Sequence, residues 1–451
     1  MKQNTARVCV AGVLVACGLY ACGGAFSEEP PSSLPDAGTE DASPSDTAPR
    51  DATAEGDSAT KPDATLDSSA DAGPDADADA DSALDGSDDA QADAAPAPFC
   101  STGSTACLDR LDLGGFTLPY YRSHPLGTPN TAIQNIVLVV HGNARNADAY
   151  FATMAGLALA KDPVHTLVLA PHFQAVPADG VACAGAANTP AATDLYWSCG
   201  GWQAGNGATN ASTTYSSAAL DALVAAAKTA FPSVTRVTIV GYSAGAQTVQ
   251  RSIAGSIEQD RTPAITTRYV VASPSSYLYL DDARLKPDAV CPDAASCALD
   301  ATSFEKPWSG AAACATYDTY KYGLVARTGL LRSIAPNSAN ATLEESRKKL
   351  LRDRYISRSV VYVVSTGDSN ATLDPSGFAE LDKDCEATAQ GPVDPLDPRQ
   401  TSYRLQRGLT YYYYVTQVHG AAHRLAVVPS CIHSQSCVLS DPIAQAEIFG
   451  P

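Results

Sequence analysis

The chain has 451 residues, with 49 Asp+Glu against 30 Lys+Arg and a formal net charge of −19. That charge belongs to one stretch: residues 28–98 hold 20 acids and two bases (Arg50 and Lys61), whereas residues 99–451 hold 29 acids and 26 bases. This excludes an acidic character of the whole protein, and with no domain-scale excess of Lys/Arg it also excludes nucleic-acid binding through a strong basic field.

The first 21 residues predict an export signal. Lys2 and Arg7 precede an apolar run from Val8 to Ala21, too short to span a bilayer comfortably as a mature helix. Two cysteines follow small-residue segments, Leu14-Val15-Ala16-Cys17 and Leu19-Tyr20-Ala21-Cys22. The segment resembles a bacterial lipoprotein signal, which implies lipidation of Cys17 or Cys22 and a membrane anchor. Neither cysteine is followed by Asp, and by that resemblance the expected address is the outer membrane; an ordinary cleaved signal is the alternative. Residues 22–98 are expected to form a disordered tether. The stretch 28–98 has no aromatic residue and is built from Ala, Asp, Ser, Pro, Thr and Gly, so it cannot bury enough apolar area to offset chain entropy. Its Asp75, Asp77, Asp79 and Asp81 do not make a calcium loop: with Gly86 at position six, Ala83 stands at three and Ala92 at twelve.

Residues 99–451 are expected to form the folded part. Asn135–Val140 reads as a buried strand ending in His141-Gly142, followed by a helix over Ala147–Ala160. Thr166–Ala170 is a second strand, and residues 173–213 read as a long loop containing Trp197 and Trp202. These tryptophans either line an acyl pocket or cover the sheet edge. A helix over Ser216–Thr229 leads to a strand over Val234–Val240, and the chain is helical again from Ala244. Further strands are predicted at Arg268–Ala272, Ser359–Val364 and Arg424–Val428. Strands alternating with helices imply an α/β fold with a mostly parallel sheet covered on both faces. Residues 275–358 read as a cap insertion. Tyr411–Tyr414 predicts a packed helix face, and Ser276 and Tyr277 are expected to border the site.

Ten cysteines lie in the folded part, an even number that suits disulfides in an exported domain. Connectivity is not readable from sequence. Cys100/Cys107, Cys291/Cys297 and Cys431/Cys437 are close enough in sequence to suggest local bridges; Cys183/Cys199 is the next guess, leaving Cys314/Cys385. No CxxC spacing supports zinc. There is also no nucleotide-binding glycine motif and no HExxH, so no cofactor or metal is implied.

The motif that carries chemistry is Gly241-Tyr242-Ser243-Ala244-Gly245. It follows an apolar strand and opens a helix, the setting of a nucleophile elbow. A serine hydroxyl needs a base to take its proton and an acid to orient that base, in chain order Ser, Asp/Glu, His on such a fold. Asp368, just past the strand at Ser359–Val364, is the expected acid, with Asp374 in reserve. His433, four residues beyond the final strand, is the expected base. His419 and His423 fall before or at the start of that strand, the wrong end of the sheet. His124, His165 and His172 are assigned structural or surface roles. The oxyanion is expected to meet the amide of Ala244 and that of Asn143 or Ala144.

With these residues in place, the chain resembles an exported serine hydrolase of the α/β-hydrolase superfamily, in a branch near the esterase and polyester-depolymerase groups. The matching stretches are HGNARNADAYF, GYSAGAQTVQR, SPSSYLYLDDAR, ATYDTYKYGL, CEATAQG with RLQRG, and VVPSCIH. They cover most of residues 130–450. The branch usually has glycine before its histidine, where this chain has Ile432. The resemblance implies an α/β-hydrolase fold, cleavage of small-molecule or polymeric carboxylic esters through an acyl-enzyme, and no cofactor. A peptidase or amidase using the same triad, and a non-catalytic binding protein on the same fold, are the rival expectations.

Overall fold

The computed structural model describes residues 99–175, 190–369, 385, 389–391 and 403–450. The expected signal, Cys17, Cys22, the tether, Cys183 and Asp374 lie outside the described residues.

An eight-stranded sheet organises the domain. Its strands are β1 (Leu108–Asp112), β2 (Thr117–Arg122), β3 (Asn135–Val140), β4 (Thr166–Pro171), β5 (Arg236–Tyr242), β6 (Thr266–Ala272), β9 (Ser359–Ser365) and β10 (Arg424–Val428), in spatial order β1-β2-β4-β3-β5-β6-β9-β10. β1 and β2 form an antiparallel hairpin, and β2 runs antiparallel to β4. Every pairing from β4 across to β10 is parallel. A two-residue pair, β7 (Arg284–Leu285) with β8 (Phe304–Glu305), stands apart. A parallel sheet with an antiparallel start and a strand–serine–helix elbow after β5 is the α/β-hydrolase architecture.

Alternation along the central strands divides the core in two. Ile136, Leu138, Val140, Val237, Ile239, Tyr269, Val271, Tyr362 and Val364 face one side. There they meet α2 (Ser216–Ala230), α3 (Ala244–Ile253), α6 (Ala341–Ile356) and α7 (Arg404–Tyr413) through Leu223, Val249, Tyr355 and Leu409. Val137, Val139, Val168, Val240, Val270, Val361 and Val363 face the other side. They pack on α1 (Ala147–Lys161), α8 (Gln435–Ser440) and α9 (Pro442–Phe449) through Phe151, Met154, Val438 and Ile448. With both faces covered, these strands read as continuous apolar runs rather than as alternating ones.

The sequence-predicted strands and helices are present, with end shifts of one or two residues. β6 starts two residues early at Thr266, and β5 is displaced by two residues at both ends, starting at Arg236 rather than Val234 and running to Tyr242, so the strand reaches the serine without a linker. The β1–β2 hairpin was not predicted. β1 is a half-exposed edge strand whose polar LDRLD sequence lacks an apolar run. The segment between β6 and β9 contains β7, β8, the short helix α5 (Gly329–Ile334) and α6, which buries Leu351 and Tyr355 on the sheet; α4 (Glu258–Arg261) precedes β6.

Disulfides join Cys100–Cys107, Cys291–Cys297 and Cys431–Cys437, the three pairings suggested by spacing, and Cys314–Cys385, the pair left over. Cys199 is also disulfide-bonded. Among the described residues, no helix is long and apolar enough to cross a membrane.

Candidate active site

The elbow explains its own glycines. Ser243 stands between β5 and α3 at φ 56°, a left-handed conformation uncommon for a side-chain-bearing residue and typical of strained functional turns. Its amide donates to the Ala272 carbonyl at 2.9 Å and its carbonyl accepts from the Gln247 amide at 3.1 Å. A Cβ on Gly241 would lie 2.7 Å from the Ala246 Cα, and one on Gly245 would lie 2.7 Å from the Val140 carbonyl carbon. Side chains at either position would push α3 away from the sheet and lower the serine.

Three predicted residues converge on this turn. His433 Nε2 is 2.9 Å from Ser243 Oγ, and His433 Nδ1 is 2.9 Å from Asp368 Oδ2. An ionised carboxylate only accepts, so Nδ1 carries the hydrogen and Nε2 presents its lone pair to the serine hydroxyl. Asp368 is fully buried beside the equally buried Arg404, whose Nη1 is 3.8 Å from Asp368 Oδ1. Burial lowers the Arg404 pKa, while the Asp368 charge works against that shift. The Leu405 amide at the start of α7 donates to the Asp368 carbonyl at 3.1 Å.

The loops carrying the acid and the histidine are stitched together. Ser365 Oγ donates to the Cys431 carbonyl. The Thr366 amide donates to the Val428 carbonyl at 3.0 Å, and the Ser430 amide to Thr366 Oγ1 at 2.8 Å. The Cys431–Cys437 bridge spans His433, and Ser434 caps α8 by accepting from the Cys437 amide.

The histidine is also held from the side. The Tyr242 ring lies against the His433 ring, with centroids 5.0 Å apart and planes 27° apart, and Tyr242 Oη is 3.1 Å from His433 Nδ1.

Asn143 and Ala144 lie exposed in the turn between β3 and α1. The preceding residue, Gly142, abuts the elbow: a Cβ there would lie 3.8 Å from Ser243 Cβ. Gln203 Nε2 donates to Asn143 Oδ1 at 3.0 Å. Arg145 follows at φ 53°, fully buried, with Nη2 donating to the Cys199 carbonyl at 2.8 Å and its guanidinium carbon 5.8 Å from the Trp202 ring centre. The Phe173 amide donates to His141 Nε2 at 3.0 Å, so His141 is neutral with its hydrogen on Nδ1, which donates to the Gly142 carbonyl; burial lowers its pKa to about 3. Ala244 opens α3, and its amide is one of the first-turn donors that helix geometry leaves without an intrahelical acceptor.

The other histidines stay away from Ser243. His423 is buried with Nδ1 3.0 Å from Tyr362 Oη, and burial lowers its pKa to about 4. His419 Nε2 lies 3.8 Å from Asp281 Oδ1. His165 pairs with Asp162 on the surface, and His124 and His172 are buried. Trp197 and Trp202 are both fully buried against Phe173, so they are core rather than pocket lining. Ser276 lies behind the elbow, bonded to Gln247 and Arg251 of α3, and Tyr277 stacks on Tyr411. Tyr411 and Tyr414 are fully buried, which matches the expected packed face.

Sequence reasoning missed Tyr242, Gly367, Arg404 and Arg145. Tyr242 carried a signal as a member of the elbow motif, and Arg145 and Arg404 stand in two of the matching stretches; the parts played by these two and by Gly367 depend on contacts between distant segments. A cleft of about 310 Å³ lies elsewhere, lined by residues including Asn135, Thr166, Arg236 and Phe449. It sits at the amino ends of β3–β5, whereas Ser243 follows the carboxyl end of β5. Among the described residues no group of three or more His, Cys, Asp or Glu side chains is arranged to hold a metal ion.

No family model and no curated protein matches the chain. Among solved structures, it is similar to poly(aspartic acid) hydrolase-1 from Sphingomonas sp. KT-1, at 19% identity and TM-score 0.45, covering 76% of this chain and 97% of that one. It is similar to LpqC, a poly(3-hydroxybutyrate) depolymerase from Bordetella parapertussis, at 17% identity and TM-score 0.43, covering 75% and 87%. The siderophore hydrolase EstB from Aspergillus nidulans follows at 12% identity and TM-score 0.35, covering 76% and 93%.

Proposed function

We propose that the protein is an exported serine hydrolase that cleaves carboxylic esters through an acyl-enzyme. The observation that carries this reading is the unbroken line from Ser243 Oγ through His433 to Asp368, with both links at 2.9 Å, on a strained strand-to-helix turn.

His433 Nε2 takes the Ser243 proton as Oγ attacks the ester carbonyl. The imidazolium that forms is stabilised by the buried Asp368 carboxylate through Nδ1. The amides of Ala244 and of Asn143 or Ala144 receive the oxyanion; the α3 dipole supports the first, and Arg145 and Gln203 hold the loop that carries the second. His433 then protonates the leaving alcohol. Water, deprotonated by the same nitrogen, attacks the acyl-enzyme and releases the acid.

Export follows from the N-terminal segment, with a lipid on Cys17 or Cys22 anchoring the domain to the outer membrane through the acidic tether. The four described disulfides fit an oxidising compartment. Incorporation of a labelled fatty acid into the wild type, Cys17→Ser, Cys22→Ser and the double variant tests the anchor; an unlabelled wild type or retained label in the double variant refutes it.

The test of activity is hydrolysis of p-nitrophenyl acyl esters of graded chain length by the wild type and Ser243→Ala. Loss of the nucleophile is expected to cost about 10⁶ in turnover. Equal rates from two folded proteins would refute the serine-hydrolase reading.

A further inference from the structure

His433 Nδ1 has two oxygens within hydrogen-bonding distance. Asp368 Oδ2 is at 2.9 Å and Tyr242 Oη at 3.1 Å. Tyr242 is the last residue of β5 and is 2% exposed, so strand pairing and packing fix its position. Its ring covers one side of the imidazole. Around the histidine stand Tyr242 from β5, Asp368 from the loop after β9 and Arg404 from α7 behind that carboxylate, with Tyr150 of α1 beside the Tyr242 ring at 6.4 Å between centroids.

We infer that Tyr242 is a positioning residue whose phenol oxygen is the second acceptor for His433 Nδ1–H, holding the imidazole in the tautomer that leaves Nε2 free for Ser243. The inference rests on the proposed hydrolase reading. The opposite polarity, Tyr242 O–H donating to Nδ1, would force the hydrogen onto Nε2 and block proton transfer from Ser243. The Asp368 carboxylate decides between the two, because a charge-assisted Nδ1–H bond to it is stronger than a neutral bond from the phenol. Burial and the Asp368 charge both raise the phenol pKa, so Tyr242 stays neutral and does not compete as a base. When His433 becomes an imidazolium, its Nδ1–H is more acidic and both acceptors bind it more tightly. The Tyr242 contact therefore grows from ground state to transition state, the condition for raising kcat rather than lowering KM.

The test is the pH dependence of kcat and kcat/KM for p-nitrophenyl acetate in the wild type and Tyr242→Phe, which keeps the stacked ring and removes the oxygen. The low-field proton resonance of His433 Nδ1–H supplies a readout that needs no turnover. Expected are a fall in kcat of about fivefold, an unchanged KM, and an acid limb displaced to lower pH, with a shifted Nδ1–H resonance. Rates, limb and resonance identical to wild type would overturn the inference and leave Tyr242 a packing residue. A higher kcat with the limb moved to higher pH would overturn it in the other direction, by making Tyr242 the donor. Activity that survives Ser243→Ala sinks the hydrolase reading instead, and the Nδ1–H resonance still decides whether Tyr242 accepts from His433.

Discussion

The Cys431 carbonyl occupies the place where a side chain on residue 367 would begin: a Cβ on Gly367 would lie 2.6 Å from the Cys431 carbonyl carbon and 2.9 Å from the Ile432 amide nitrogen. Gly367 precedes Asp368, and Cys431 lies two residues before His433. The absence of one methyl group thus sets how closely the acid loop and the histidine loop approach.

Gly367→Ala is therefore expected to move His433 away from Asp368. The obstruction is backbone, which cannot rotate aside. A displacement of about 1 Å is enough to cost roughly a hundredfold in kcat. Activity assays beside thermal melts would check this, with the loss in rate exceeding anything explained by a small drop in Tm.

The Cys431–Cys437 bridge closes a loop whose only histidine is His433. Closing so short a loop stabilises the fold by about 2 kcal/mol. Its larger effect should be on the position of the imidazole. The double variant Cys431→Ser/Cys437→Ser is expected to stay folded and to lose about tenfold in kcat. Cys100→Ser/Cys107→Ser, which removes a bridge at the β1 end of the sheet, should reduce Tm and leave kcat unchanged. Equal kcat losses from the two pairs would contradict this.

Arg145 ties the turn after β3 to the Trp197–Gln203 loop. It combines a left-handed backbone with a buried guanidinium bonded to the Cys199 carbonyl, and the ring of His172 is hydrogen-bonded to its backbone. A lysine has one point charge in place of a planar fork and does not reproduce that geometry. Arg145→Lys is expected to displace the Asn143 and Ala144 amides and to lower kcat about a hundredfold, with little change in KM. Binding of a phosphonate inhibitor, which mimics the tetrahedral oxyanion, should weaken in parallel.

His423 links stability to pH. Its folded pKa is about 4, and its unfolded value is 6.5. As pH falls, the unfolded chain takes up the proton first. The stabilising contribution is therefore complete above pH 6.5 and is lost between 6.5 and 4, by up to about 1.4 kcal/mol per unit. Asp221 and Asp318, both raised to about 6 chiefly by burial, act in the opposite sense: their contribution is complete below about 4 and is lost as pH rises through 6. The overall profile mixes these slopes, so the informative quantity is the difference between wild type and His423→Phe. Denaturant melts should show that difference moving in the variant's favour by about 3 kcal/mol from pH 7 to pH 4. A constant difference would mean that folding leaves the His423 pKa unshifted.

Much of this architecture was legible in the chain. β3 to β6, β9 and β10 declare themselves because a parallel sheet covered on both faces needs uninterrupted apolar strands, and α1 to α3 follow at short intervals. The edge strand β1 was not legible, since a half-exposed strand carries polar residues and no apolar run, and β2, although buried over Leu118–Tyr121, is short and interrupted by Pro119. The 275–358 stretch hid α6 for a similar reason: only Leu351 and Tyr355 of its sixteen residues are buried, so it has almost no apolar stripe.

The sequence by itself determined the α/β class, the elbow and the choice of Ser243, because a strand, a tight turn and a helix are local; Gly241 is demanded by the turn's own backbone at Gly245 and Ala246, whereas Gly245 answers to Val140 and His141 at the end of β3. It also singled out Asp368 and His433 as neighbours of late strand ends. Only the tertiary structure decided that these three meet. His433 is 65 residues from its carboxylate and 190 from its serine. Their approach depends on β5, β6, β9 and β10 lying side by side in register, and so do the Gly367–Cys431 fit, the buried Arg404 beside Asp368 and the Tyr242 ring against the imidazole. Contacts of that kind arise from packing between segments far apart in the chain, where no spacing rule operates.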